Sequence, residues 1–347
     1  MLPISNLTWE KSTTKNLGFD FTFLQSRLTF TADIFERKVT DILIPGGKDY
    51  PVLIGDDDLP FENAGILKTT GFELQAKWSD KLANGFRYSV GVALSDDKAK
   101  VVSYPSNPTN KIGDGVLYKG YTVGDIWGYV TGGILQEGDF DGVGANGKPL
   151  YHGPYFKGGQ AYPGYIWYQD LDHDGVITTG LNTVDDPGDR KVIGNNAPRY
   201  RYNITANFQY KGFDLDLMFQ GVGKRDYWLS STSSYWGNGA GSWEVYNNSW
   251  TPERTDAKFP MYGSGTGSYP QTGYLLDASY IKLKQVILGY TFPRTLINKI
   301  GLEKLRLNLA AYNLFTISDM PKYYDADYLS DAYPPKRTFS VGIQVGF

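Results

Sequence analysis

The end of the chain constrains the fold more than any other stretch. Every odd position from Phe339 to Phe347 is large and apolar, and every even position from Thr338 to Gly346 is small or polar. A period of two belongs to a strand with one apolar face and one wet face. About 9–11 residues is the length with which a tilted strand crosses a bilayer. A soluble sandwich would also alternate, so the rest of the chain must decide between the two.

The pattern recurs. Leu17, Phe19, Phe21 and Phe23 alternate with Gly18, Asp20 and Thr22. After a short turn at Gln25-Ser26, Leu28, Phe30, Ala32 and Ile34 alternate with Thr29, Thr31 and Asp33, which predicts a hairpin. Phe72 to Trp78, Tyr88 to Leu94, Tyr202 to Tyr210 and Phe213 to Phe219 alternate in the same way. Further strands are expected at about 279–291, where the less regular pattern predicts a bulge, and at about 303–313. With 337–347 these make nine. Glu73 and Lys77 on one polar face do not suit a dry sandwich core; they suit a water-filled barrel interior. Phe72, Leu74, Val90, Leu215 and Val341 are therefore expected to face lipid, and Glu73, Gln75, Lys77 and Asn203 the lumen.

Composition agrees. The chain has 27 Tyr, 18 Phe and 8 Trp, yet its mean hydropathy is −0.36, so apolar residues are dispersed by alternation. No apolar run approaches the roughly 18 residues of a membrane helix, and without one only a closed barrel can cross lipid. A net charge of −3 carries no nucleic-acid signature, and no nucleic-acid partner is expected. The lack of Cys excludes a disulfide framework and Cys-based metal or redox centres. Met1–Glu10 has neither the basic start nor the apolar core of an export signal, so either the protein is cytoplasmic or its true N-terminus lies upstream.

Short connections (Gln25-Ser26, Asp80–Gly85, Lys211-Gly212, Pro293–Gly301) alternate with long ones (about 45–60, 97–197 and 222–278). Outer-membrane barrels have this rhythm, with periplasmic turns and long external loops. Any strand inside 97–197, such as one near Tyr121 to Gln136, must then be external or cross in pairs. Nine is odd, whereas single-chain bacterial barrels have even counts, so upstream strands are expected to be missing.

Several stretches resemble one family in order along nearly the whole chain. They are Asn63–Leu74 (NAGILKTTGFEL), Gly120–Tyr129 (GYTVGDIWGY), Gly164–Gly175 (GYIWYQDLDHDG), Asp189–Asn195 (DRKVIGN), Gly212–Gly221 (GFDLDLMFQG), Trp250–Glu253 (WTPE), Leu276–Leu283 (LDASYIKL), Asn313–Phe315 (NLF) and the terminal Phe347. Together they resemble the C-terminal barrel portion of the SusC/RagA-type TonB-dependent outer-membrane transporters of Bacteroidetes. The resemblance implies an all-β fold. It would be an antiparallel transmembrane β-barrel portion of about nine strands from a 22-stranded barrel, with long extracellular loops, and residues 1–347 would be its C-terminal part without plug or N-terminal domains. It also implies location in the bacterial outer membrane and TonB-dependent import of oligosaccharides or peptides. The implied partners are a SusD-like surface lipoprotein, TonB acting through the N-terminal part, membrane lipid and lipopolysaccharide. The alternative is a small self-contained outer-membrane β-domain that binds ligand at the surface without transport.

Two sets of residues invite a site reading. Asp170, Asp172 and Asp174, followed by Gly175 and Ile177, match the opening of a calcium loop. The twelfth-position ligand falls on Leu181, leaving Asp185, Asp186 or Asp189 as substitutes; the plain alternative is an Asp/Gly-rich turn. Tyr165, Trp167 and Tyr168 in one long loop, and Tyr235, Trp236 and Trp243 in another, are candidate stacking platforms for an oligosaccharide. The alternatives are loop cores and the interfacial aromatic belt, the belt being the reading for Trp228. His152 and His173 are the only histidines and no G-x-S-x-G elbow is present, so no enzyme is expected.

Overall fold

The computed structural model describes residues 7–46, 61–113, 115–228, 243–264, 269–321, 324–329 and 335–347. Nine strands form one sheet: β1 (Lys11–Phe23), β2 (Leu28–Pro45), β3 (Phe61–Lys81), β4 (Arg87–Ser103), β5 (Arg199–Tyr210), β6 (Phe213–Lys224), β7 (Tyr280–Thr291), β8 (Lys304–Ser318) and β9 (Thr338–Gly346). They lie in chain order, every neighbour antiparallel. The expected nine strands are all present, several of them longer than the alternation suggested. β3 has 21 residues, about 70 Å of strand at ~3.4 Å per residue, which is far beyond what a bilayer needs.

The register shows why the sheet has two unlike faces. One row across all nine strands reads Phe23, Leu28, Trp78, Val90, Ala206, Leu217, Val286, Ala311, Phe339. The next row, on the opposite face, reads Thr22, Thr29, Lys77, Gly91, Thr205, Met218, Gln285, Tyr312, Thr338. The apolar face is outward and solvent-accessible, with Phe339 72%, Val341 74% and Ile343 66% exposed. A patch of that extent in water would be a liability; against lipid it is the required surface. The polar face is concave and carries cross-strand ion pairs, such as Arg306 with both oxygens of Asp214.

The connections at one end are tight. Lys211 and Gly212 both take positive φ (47° and 87°), the pair a two-residue hairpin turn demands. The turn expected at Gln25-Ser26 is wider, because Leu24 is left-handed as well. The Pro293–Gly301 connection holds a helical turn, Arg294–Ile297, that seats Ile297 in a buried position. Aromatic rings cluster at this end: Phe86 with Tyr88, Phe208 and Tyr210, and Phe213 with Tyr290. That is the pattern of an interfacial girdle.

The bulge expected in 279–291 falls at Lys284. The register of β7 shifts between Leu283 and Gln285 against β8, and the partner shift on β6 is between Met218 and Phe219. The sheet does not close on itself: among the described residues β1 and β9 each pair on one side only. A small self-contained barrel is therefore not what these strands build.

At the other end the long connections are structured, which the sequence pattern missed. β4 runs on to Ser103 instead of stopping near Asp96. Beyond it, Asp125–Tyr129 pairs with Arg190–Asn195, Thr131–Ile134 with Ile166–Tyr168, and Phe140–Val143 with Pro149–Tyr151. All lie outside the nine-stranded sheet. One buried cluster joins Tyr129, Ile166, Tyr168 and Ile177 of this loop to Val245, Phe259 and Tyr274 of the 225–279 loop. The loops thus make one cap with its own core.

Candidate functional site

The core of the cap takes up several of the candidate aromatic residues. Tyr168 is 1% exposed. Its ring lies 4.9 Å from Tyr129 and 5.5 Å from Phe156, and its hydroxyl accepts a bond from Gln271 Nε2 at 3.0 Å. Tyr168 is therefore a core residue and offers no face to a ligand, because its neighbours cover it. Burial, with the nearby Tyr129 phenol second, raises its pKa; burial likewise pushes Tyr155 up to about 12. Neither phenol serves as a base at neutral pH.

Trp167 is half-buried and lies across Gly132, where any side chain would collide with the indole. Tyr165 is half-buried, 5.3 Å from Tyr162. Trp228 packs against the cap core instead of standing in a belt. Tyr235 and Trp236 lie outside the described residues. Trp243 is 78% exposed and meets Tyr246 edge-on at 5.9 Å, and Tyr246 meets Tyr262 at 5.8 Å. This exposed trio is the part of the aromatic set still available for stacking. Trp243 was among the candidates read from the sequence; Tyr262 was not.

Asp170, Asp172 and Asp174 do converge, each offering an oxygen within 4.8 Å of the others. Their other contacts are local: Asp170 accepts the N–H groups of His173 and Gly175, Asp172 that of Asp174, and Asp174 that of Val176. Asp172 has a raised pKa, from partial desolvation first and then from the charges of Asp189 and Asp174. Partial desolvation also acts on Asp170, but the donated N–H groups outweigh it and its pKa is lowered. Two of the three expected substitute ligands are otherwise engaged. Asp189, fully buried, braces the N–H groups of Leu171 and Thr178, and Asp186 holds Leu181.

A second constellation was not legible in the sequence. Lys282 is 1% exposed and reaches both oxygens of Asp325 at 2.9 Å and Asp327 at 3.3 Å. Lys284, the bulge residue, also reaches Asp327 at 3.2 Å, and Tyr280 donates to it at 2.7 Å. Met320 and Ala326 are buried against Val222, Ala278 and Tyr280. The loop after β8 is thereby folded inward onto the concave face. Partners more than forty residues apart in sequence have no periodicity to announce them; only the excess of Lys over apolar residues in 282–284 hinted at it.

Outward apolar strands, an inward polar face and a loop cap at one end define the wall of a membrane β-barrel. A model of the TonB-dependent receptor-like β-barrel matches residues 2–314, and the chain belongs to that family of outer-membrane proteins. Among similar proteins, TonB-dependent receptor P3 of Formosa agariphila is 28% identical over 99% of this chain and 34% of its own length. TonB-dependent receptor SusC of Bacteroides thetaiotaomicron is 27% identical over 99% of the chain and 32% of its own. The chain spans about a third of the length of these relatives. The RagAB peptide importer in its open-open state superimposes with a TM-score of 0.73 at 21% identity, covering 98% of this chain and 35% of that one. Among the described residues no helix is long and apolar enough to cross a membrane.

Proposed function

We propose that this chain is the C-terminal wall and cap of a TonB-driven importer in the bacterial outer membrane. It would carry oligosaccharides or short peptides inward and work with a SusD-like lipoprotein seated over the cap. The observation that carries this reading is the register. It separates an apolar outer row from a polar inner row on all nine strands and gathers the ordered cap at one end. A wall with a wet concave face and an external cap suits passage of polar solutes. The name of the RagAB peptide importer supports the peptide part of this reading.

The test has two arms, both in the full-length protein. These 347 residues hold no native Cys beside an introduced one. One at Asn146, exposed in the cap, should label in intact cells; one at Asn84 or Lys211, exposed in the tight turns, should not. Uptake of labelled oligosaccharide or peptide should stop on collapse of the proton-motive force. Labelling at Lys211 but not at Asn146 would invert the topology, and uptake indifferent to energy would remove TonB from the reading.

A further inference from the structure

The outward face of the sheet finishes differently at its two ends. At the tight turns it finishes in aromatic residues, Tyr88 beside Phe208 and Phe213 beside Tyr290. At the cap end of β1 to β4 it turns basic. The last apolar row there runs Leu17, Ile34, Phe72, with Asp96 as its fourth member. The next row up on the same face is Lys15, Glu36, Thr70, Lys98, and the one after it is Thr13, Lys38, Lys68, Lys100.

The carboxylates on this face are spent. Asp96 is held by Arg199, Glu36 by Lys68 at 2.8 Å and Asp41 by Lys11 at 3.0 Å. Lys15, Lys38, Lys98 and Lys100 are exposed and make no ion pair among the described residues. Lys38 stands directly opposite Lys68, and Lys68 opposite Lys100. Like charges facing each other across strands destabilise a sheet, so the row gains when an anion joins it. Two strand spacings separate Lys38 from Lys100, about 10 Å at ~4.8 Å per strand. Lysine carries its ammonium on a flexible four-carbon stem, so all three can converge on one phosphate, and the Thr70 hydroxyl beside them can donate as well.

Position decides the occupant. The lysines begin where the lipid-facing surface stops, at Leu17 and Ile34, which are 53% and 57% exposed. The Lys38, Lys68, Lys100 row lies at most ~14 Å further along the strands, and less along the membrane normal because barrel strands tilt. Hydrocarbon gives way to headgroups over that height. A soluble acidic protein would have the bilayer in its way, whereas a headgroup is already there. A zwitterionic headgroup brings its own ammonium and relieves the row less than a net anionic one. We propose that the outward face of β1 to β4 at the cap end binds the phosphate of an anionic lipid headgroup through Lys38, Lys68 and Lys100, with Lys15 and Lys98 flanking. The site goes beyond the import reading and shares with it only the membrane.

The experiment uses the full-length protein in neutral detergent, titrated with bis-phosphorylated lipid A and read by native mass spectrometry. The comparison probes are the same glycolipid after phosphatase treatment, phosphatidylethanolamine, and inorganic phosphate. The phosphorylated lipid should fill a saturable site, and removal of its phosphates should weaken binding about tenfold or more, the scale of one charge-assisted bond. Lys38→Gln with Lys68→Gln and Lys100→Gln should weaken it about 10²-fold, at about fivefold per lysine beside an anionic surface. Lys38→Arg with Lys68→Arg and Lys100→Arg should keep it, and so should Lys77→Gln, on the inward face of β3. An unchanged heat-modifiable barrel band in every variant separates binding from folding. Equal binding of the phosphorylated and dephosphorylated lipids, or of the phosphorylated lipid and phosphatidylethanolamine, would overturn the proposal. So would parent-like binding by the triple Gln variant, or an equal loss in Lys77→Gln. Displacement of the lipid by inorganic phosphate at equal concentration would make this a site for free anions and overturn the lipid assignment. Uptake indifferent to energy would remove the import reading and leave this site standing.

Discussion

The inward-folded loop after β8 should be released far more readily by removing its carboxylates than by removing its lysine. Lys282 is 1% exposed, whereas Asp325 and Asp327 keep 18% and 23% of their side chains in water. Asp325→Asn with Asp327→Asn leaves a buried ammonium without a counter-ion, a cost of about 3–5 kcal/mol. Opposing release is the apolar seat of Met320 and Ala326, worth about 1.5–3 kcal/mol for a buried side chain of methionine's size. The double substitution therefore exceeds the apolar hold and shifts docking by about 10²- to 4 × 10³-fold. Lys282→Met leaves two carboxylates that water and Lys284 still reach, so about 1–2 kcal/mol is expected. Hydrogen exchange reads this directly. The Leu329 amide, bonded to the Asp325 carbonyl at 2.9 Å, should exchange about 10²-fold faster in the double variant and much less so in Lys282→Met. Acid should act in the same direction. Burial would raise the Asp327 pKa, but the Tyr280 hydroxyl, Lys282 and Lys284 together hold it below the ordinary 3.8. A depressed folded value means the contribution is complete above the unfolded pKa and lost as pH falls through the folded one. Docking should thus be flat above about pH 4 and fail below it. Equal exchange in the two variants, or faster exchange in Lys282→Met, would refute the reasoning.

Leu217→Arg should cost about 2–4 kcal/mol of barrel stability and Thr205→Arg little, because they occupy the outer and inner rows; amounts of folded protein in the outer membrane report it. Leu215 is the weaker probe, since it stands only three residues from the Gly212 turn, near the interface where the penalty shrinks. Phe259→Ala should remove about 3–5 kcal/mol from the cap core. Because that core is shared, proteolysis should open the 104–198 and 225–279 loops together; cleavage of one alone would separate them. If the Asp170, Asp172, Asp174 turn takes calcium, protease protection of 165–193 should fall on chelation in the parent and become indifferent to chelator in Asp172→Asn with Asp174→Asn. Protection that ignores chelator in the parent returns the motif to a turn held by its own backbone bonds.

The wall was legible in the sequence because a strand's side-chain period is fixed at two by backbone geometry. Phe19 to Phe23, Phe72 to Trp78 and Phe339 to Phe347 each announce their own outer face. Turn residues announce the ends: Lys211-Gly212 must take positive φ, and Gly does so freely. Strand count, antiparallel order, the sides of Glu73 and Leu74, and the bulge near 284 follow from such local rules. The family resemblance rested on short stretches in both the strands and the cap, such as Gly212–Gly221 and Gly164–Gly175. The cap followed no such rule. Its core is assembled from short segments more than a hundred residues apart in chain order, Tyr129 with Phe259 and Tyr274, and no period marks a residue that is buried by a distant loop. Tyr168 therefore looked like a platform and proved to be core, and Asp189 looked like a spare ligand and proved to be a brace. The row that sets Glu73 against Arg201 belongs to the same class. Alternation determined that both side chains face the lumen, but only strand pairing, fixed when 104 to 198 folds away as a cap and brings β5 beside β4, decided that they lie in one row.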